Sequence, residues 1–179
     1  MKPVILTLFL LVLTGAGSAD SAPSFVLGDT PGLDARGFVR DYYAAYSSKQ
    51  LDRLVAYYAD DVHLVDPTFE IDVQGRGVIA QQMTEALPAY DEMIWTPANV
   101  VGAGNQLVVE GEVRGKFRGK PFDMKFVTCF VFRDGKIVRH HDYLDSTNFF
   151  AQIGRVPPRI KKMLAAKEAA AAAPAVKAP

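Results

Sequence analysis

The segment FVRDYYAAYSSKQLDRLVAYYADDVHLVDP, residues 38–67, changes its hydrophobic spacing from that of a helix to that of a strand. Its first part predicts two helices, whose apolar stripes are Phe38, Val39, Tyr42, Tyr43 and Tyr46, and then Leu51, Leu54, Val55 and Tyr58. Asp34 is predicted to cap the first helix, and Ser47 or Ser48 the second, because such side chains accept the free N–H groups of a first turn.

The strand that follows raises a question about one carboxylate. Val62, Leu64 and Asp66 lie on the same side of it, and Pro67 ends it because proline has no N–H for a ladder. Asp66 either faces a cavity, where desolvation would raise its pKa toward the range useful for proton transfer, or it caps the turn by accepting the backbone N–H of Thr68.

The rest of the chain predicts one more helix and a run of strands. VIAQQMTEALPAY, residues 78–90, has helical spacing, and four alternating segments follow at residues 93–104, 106–117, 121–135 and 136–146, separated by glycine-containing turns. Helices first and a long meander after them predict an α+β fold, in which one curved antiparallel sheet wraps around three N-terminal helices.

The two ends of the chain are predicted to lie outside this domain. Residues 1–19 have the charged start, short apolar run and small-residue cleavage site of a signal peptide, and residues 20–33 read as a flexible lead-in. Residues 155–179 form an Ala/Pro/Lys-rich tail, predicted to be largely disordered or helical. We therefore expect an exported, periplasmic or extracellular protein without stable membrane insertion, since the apolar run is too short to span a bilayer. An uncleaved N-terminal anchor is the alternative.

Composition and charge exclude some classes of partner. Between residues 20 and 154, 19 acidic side chains face 13 basic ones, which argues against nucleic acid. The single cysteine, Cys129, cannot form an internal disulfide and is expected to act as a small hydrophobic residue. The histidines and acids show no metal-ligand spacing, so we expect neither a metal nor a cofactor.

Residues 38–67, together with FVFRDGKIVRHHDYLD at residues 130–145, resemble the nuclear transport factor 2-like superfamily and, within it, the SnoaL-like group. The resemblance covers residues 34–154. It implies a cone-shaped domain in which a strongly bent sheet and three helices enclose a pocket.

Ketosteroid isomerases of this superfamily imply two catalytic residues. Tyr42 and Asp66 have the isomerase spacing, so Tyr42 matches the oxyanion-hole tyrosine and Asp66 the proton-shuttling base. Thr128 stands where the isomerases have a protonated aspartate, and its hydroxyl is a weaker donor. Steroid isomerisation is therefore not the expected reaction.

A second acid is implied near the end of the domain. HDYLD, residues 141–145, is similar to the segment that carries an acid in limonene-type epoxide hydrolases, and SnoaL-type polyketide cyclases also use a late aspartate, which together imply a role for Asp142. The other epoxide-hydrolase positions fall at Gly111 and Val113, which cannot supply that chemistry. Alternation puts His140 on the side of Asp142, either as an acid–base pair in the pocket or on an exposed sheet face.

Two functions remain open at this point. One is a cofactor-independent acid–base enzyme of isomerase, lyase or hydrolase type, acting on a small hydrophobic molecule; the other is a non-catalytic ligand-binding or dimerising module. The residues expected to contact the ligand are Tyr46, Trp95, Phe126, Thr128 and Phe130. Trp95 could instead cover a dimer interface. A homodimer is expected through the outer sheet face, where Val127, Cys129 and Val131 would form an apolar patch.

Overall fold

The computed structural model describes residues 22–172, which form a seven-stranded sheet with helices packed against it. The strands are β1 Ser24–Leu27, β2 Tyr58–Asp66, β3 Ile71–Gln74, β4 Tyr90–Ala103, β5 Gln106–Phe117, β6 Lys120–Arg133 and β7 Lys136–Leu144. The helices are α1 Ala35–Ser47, α2 Leu51–Ala56, α3 Arg76–Ala86, α4 Ser146–Gln152 and α5 Pro158–Ala172, and a short 3-10 turn, Leu87–Ala89, follows α3.

The sheet has the order β1-β4-β5-β6-β7-β2-β3, and it is curved without closing. The predicted α+β class and curved sheet with N-terminal helices are confirmed. The sheet is mixed rather than wholly antiparallel, because β1 pairs in parallel with β4 and β2 in parallel with β7. In both parallel pairs the two strands are far apart in the sequence, and the long connections between them permit the parallel direction. The segment expected to be a flexible lead-in supplies β1.

The second predicted helix is shorter than its stripe suggested. α2 ends at Ala56, and Tyr58 belongs to β2, where it pairs with Ile137. Neither predicted serine caps it: Gln50 occupies the cap position without a side-chain bond, and Ser47 Oγ instead accepts the backbone N–H of Trp95 at 2.9 Å. This bond ties the end of α1 to β4.

An irregularity in the pairing of β7 with β6 changes which side chains of β7 face the core. His140 and Asp142 are buried as the alternation predicts. Ile137 is also fully buried, although alternation puts it on the opposite side, because the register shifts between Val131 and Phe132. A β-bulge of this kind reverses the side-chain pattern on one side of the irregularity.

The C-terminal part packs in two different ways. α4 begins at the Asp145 cap and buries Phe149 and Phe150 in the core, whereas α5 is largely exposed and contacts the domain through an ion pair between Lys162 and Glu70. Within residues 22–172, no helix is long and apolar enough to cross a membrane. The predicted signal peptide lies outside the described residues.

Candidate active site

A cavity lies between the concave face of the sheet, α1 and α3. Its volume is about 120 Å³, well above the roughly 10–15 Å³ that one water molecule needs. Most of its wall is apolar and is formed by Leu64, Phe69, Ile71, Ile79, Met83, Leu87, Met93, Trp95, Met124 and Leu144. The cavity therefore suits a small organic molecule with a large apolar surface.

Asp66 has both of the roles between which the sequence left a choice: it faces the cavity and it caps the turn. Its side chain lines the cavity and is only 5% exposed, and its Oδ1 also accepts the backbone N–H of Thr68 at 2.8 Å. The carboxylate is thus held in place by the turn after β2 while it faces the apolar space.

The surroundings of Asp66 make it a weaker acid than usual. Its pKa is raised from 3.8 to about 6, mainly by burial and in second place by the nearby carboxylate of Asp142. The hydrogen bonds from Thr68 and from the backbone of Phe69 oppose this change without cancelling it. A carboxyl group with a pKa near 6 exchanges its proton readily close to neutral pH.

Asp142 also lines the cavity, and each of its carboxylate oxygens contacts a buried polar side chain. Thr128 Oγ1 donates to Oδ1 at 2.5 Å, and His140 Nε2 lies 2.9 Å from Oδ2. This His140 contact is within ion-pair distance, but its direction is not that of a hydrogen bond. Nε2 of His140 therefore has no hydrogen-bond partner within residues 22–172. The predicted pairing of His140 with Asp142 is therefore present as close proximity.

A chain of buried polar groups continues inward from His140. Its Nδ1 lies 2.8 Å from the hydroxyl of Tyr58, which in turn lies 2.8 Å from the hydroxyl of Tyr42. Burial raises the pKa of both tyrosines, so they remain protonated. The sequence pattern missed Tyr58, whose position continued a helical stripe. The change of period at the start of β2 was the available signal.

Tyr42 is not where the isomerase comparison implied. It is 1% exposed and does not line the cavity, and its hydroxyl is committed to Tyr58. Tyr46, one helical turn later, lines the cavity instead, as does Tyr90 at the start of β4. Burial raises the pKa of Tyr46 well above its ordinary value and that of Tyr90 to about 12, so both remain hydrogen-bond donors at neutral pH.

The remaining predicted ligand-binding residues divide into wall and support. Trp95 lines the cavity, with its ring centroid 4.8 Å from that of Phe126 and 4.9 Å from that of Tyr46. Phe126 and Phe130 are buried behind the wall. Thr128 is likewise buried and reaches the cavity only through Asp142.

The other histidines lie away from the cavity. His141 is on the outer face of the sheet, where the Arg139 Nε–H donates to its Nε2, and His63 pairs with Asp72 at 2.7 Å. Across residues 22–172, no cluster of three or more His, Cys, Asp or Glu side chains could hold a metal ion.

Comparison with known proteins assigns the chain to a family. A family model described as the SnoaL-like domain matches residues 39–140. No curated protein matches the chain. The family resemblance stated from the sequence is thus confirmed.

Several solved structures share the fold. A protein of ketosteroid isomerase-like fold from Catenulispora acidiphila DSM 44928, in complex with trimethylamine, is 22% identical, with a TM-score of 0.62 over 71% of this chain and 95% of that one. An NTF2-like protein of unknown function from Burkholderia pseudomallei K96243 is 23% identical, with a TM-score of 0.60 over 65% and 95%. A proposed polyketide cyclase from Xanthomonas campestris pv. campestris is 23% identical, with a TM-score of 0.59 over 65% and 94%. At these identities the likeness establishes the fold, and because the family match spans more than half of the 179 residues, the chain belongs to the SnoaL-like domain family.

Proposed function

We propose that the cavity binds a small, largely apolar molecule and that Asp66 transfers a proton on it, in cofactor-independent chemistry of the isomerase, lyase or hydrolase type. The observation that carries this proposal is the position of Asp66: it is a carboxylate in an otherwise mostly apolar cavity, fixed by a turn and with its pKa raised to about 6. A base with a pKa near the operating pH combines a useful ionised fraction with a useful driving force.

A proton shift next to a carbonyl group illustrates the chemistry. The Asp66 carboxylate removes a proton from the carbon beside the carbonyl, and the electron pair moves onto the carbonyl oxygen. The Tyr46 hydroxyl, which is protonated and lines the cavity, donates a hydrogen bond to that oxygen. Asp66 then returns the same proton to the far carbon of the conjugated system, so the double bond moves and no atom is gained or lost.

Asp142 provides a second acid whose position is fixed. Its contacts with Thr128 and His140 orient both carboxylate oxygens. The chain from His140 through Tyr58 to Tyr42 holds the imidazole in turn. This arrangement suits proton exchange at a site that Asp66 does not reach, as a dehydration or cyclisation would require.

The proposal is tested with a substrate small enough for the cavity. Cyclohex-3-en-1-one is converted to the conjugated cyclohex-2-en-1-one by moving one proton, and the product absorbs in the ultraviolet. In D₂O, ¹H NMR also detects exchange at the carbon beside the carbonyl. We expect a rate above buffer that rises with pH through about 6, as Asp66 ionises, and that falls at least 100-fold in Asp66→Asn.

Asp123→Asn is the matched control, because it removes an exposed carboxylate from the same sheet. It should keep the full rate. If the unaltered protein binds the ketone but neither isomerises it nor exchanges its protons faster than buffer does, catalysis of this kind by Asp66 is excluded.

A non-catalytic ligand-binding module is the second candidate, and a specific observation favours it. Two groups that would stabilise a developing charge in an isomerase are occupied by other protein groups: the Tyr42 hydroxyl contacts Tyr58, and the Thr128 hydroxyl donates to Asp142. Binding without exchange in the experiment above is the result that this candidate predicts.

We further propose that the domain acts after export and as a homodimer. The pattern of residues 1–19 supports export. For dimerisation, the outer face of the sheet carries an apolar row across paired strands, including Val26, Val101 and Val108, with Val101 53% exposed. A second copy would remove this row from water.

A further inference from the structure

We infer that the cavity selects small organic cations, namely amines or quaternary ammonium groups carried on an apolar body, over neutral and anionic molecules of the same size. The inference names a ligand class for the same cavity and therefore rests on the proposed binding function. It starts from the charges that line the cavity. Asp66 and Asp142 are both acids, and none of the lining residues in the described part of the chain is a lysine, arginine or histidine.

Two carboxylates in one apolar cavity leave a negative charge that the protein compensates only in part. Asp142 raises the pKa of Asp66, because two carboxylates that face the same cavity repel each other. The nearest imidazole, His140, lies behind Asp142 and is also bonded to Tyr58. One imidazole can balance at most one of the two carboxylates, so His140 leaves the other without a cationic partner.

The groups that face Asp66 from the surrounding elements add no positive charge. Tyr46 from α1, Tyr90 from β4 and Gln82 from α3 are neutral, and β7 contributes the acid Asp142. The phenols remain protonated because burial raises their pKa values.

The turn after β2 adds no free cation either. Glu70 lies on that turn, and its carboxylate is already paired with Lys162 from α5 at 2.7 Å. On the outside of β2, His63 is paired with Asp72. The positive charge that would complement Asp66 is therefore best supplied by the ligand.

The aromatic part of the wall favours the same ligand class. Tyr46, Phe69, Tyr90 and Trp95 line the cavity, and their rings can present negative π faces to a cation. A cation that loses water on entry would gain a carboxylate and these faces in exchange, whereas an anion would be repelled. A neutral molecule would gain only the burial of its apolar surface.

The test uses three probes of matched size on the purified protein: benzylamine, which is protonated between pH 5 and 8, benzyl alcohol, which is neutral, and benzoate, which is anionic. Calorimetric titrations at pH 8 should show benzylamine binding at least tenfold more tightly than benzyl alcohol, and benzoate not binding. Lowering the pH to 5 should weaken benzylamine binding about tenfold, because only about a tenth of Asp66 is ionised there, and should leave benzyl alcohol unchanged.

Variants assign the effect to the cavity. Asp66→Asn should bind benzylamine at least tenfold more weakly at pH 8 and lose its pH dependence, whereas Asp123→Asn, with the same charge change at an exposed site, should behave as the unaltered protein. If Asp66→Asn does not fold, the pH series on the unaltered protein still decides. Equal binding of benzyl alcohol and benzylamine at pH 8 overturns the cation preference and leaves the proposed function intact, while the absence of binding by all three probes at millimolar concentration overturns both.

Discussion

Replacing Asp66 with asparagine should stabilise the protein at pH 7, and the gain should shrink as the pH falls. The folded pKa is about 6 against an ordinary value of 3.8, so the folded state binds the proton more tightly than the unfolded chain does. The ionised acid therefore lowers the stability above its folded pKa, and this cost fades as the pH falls through 6 toward 3.8.

The magnitude follows from the two pKa values. At pH 7 the cost of ionised Asp66 to the free energy of unfolding is about 3 kcal/mol, since one pKa unit corresponds to about 1.4 kcal/mol. At pH 5 the folded carboxyl is mostly protonated while the unfolded one is mostly ionised, and the cost is about 1.6 kcal/mol. The stability gained by Asp66→Asn should thus be about 1.3 kcal/mol larger at pH 7 than at pH 5.

Urea unfolding followed by circular dichroism at both pH values measures this difference. The asparagine side chain keeps an oxygen that can accept the Thr68 N–H, so the turn contact is preserved. Asp123→Asn should show no comparable pH-dependent gain. The proposed destabilisation by ionised Asp66 would be refuted if Asp66→Asn were less stable than the unaltered protein at pH 7 and the loss of stability were the same at pH 5. Asp66 would then be only a turn cap.

Three further outcomes are expected. Tyr58→Phe should lower the free energy of unfolding by about 1–3 kcal/mol in urea titrations, because it leaves buried polar atoms of Tyr42 and His140 without a partner; an unchanged midpoint would show that the polar chain contributes nothing. Sedimentation at micromolar concentration should give twice the monomer mass, and Val101→Lys should give the monomer, whereas a monomeric unaltered protein would leave the apolar row unexplained. Intact-mass measurement of exported protein should place the first residue at or near Asp20, and a retained N-terminus with membrane association would contradict export.

Much of the fold could be predicted from the sequence because its long elements have regular spacing and clear ends. The strands β6 and β7 agree closely with the predicted segments, since the turn between them at Asp134 and Gly135 has the positive φ angles that such residues tolerate. The short elements were missed for a physical reason. β1 and β3 have four residues each, too few to establish a period, and they form because neighbouring strands offer them hydrogen bonds.

The sequence could predict which side chains of the site share a face of their helix or strand, but not which of them reach the cavity. Tyr42 and Tyr46 occupy the same side of α1, and the pattern could not show which turn of the helix meets the cavity and which is covered by Phe130. Asp66 was left open between two roles that proved compatible, because its position at the end of β2 places it in the turn and in the cavity at once. Whether a side chain reaches the cavity depends on the curvature of the sheet, which no local sequence pattern encodes.

The outer face of the sheet has a practical consequence for spectroscopy. Cys129 is the only cysteine of the chain, and on β6 it pairs with Val108 of the apolar row on one side and with His141 on the other. It is half-buried, and burial raises the pKa of its thiol, so alkylation at neutral pH will be slow and is best done at higher pH. A fluorophore or spin label will then attach at one defined place near the middle of the sheet. Because the proposed second copy would cover this row, the rate of labelling and the signal of the attached label report directly whether the row is covered.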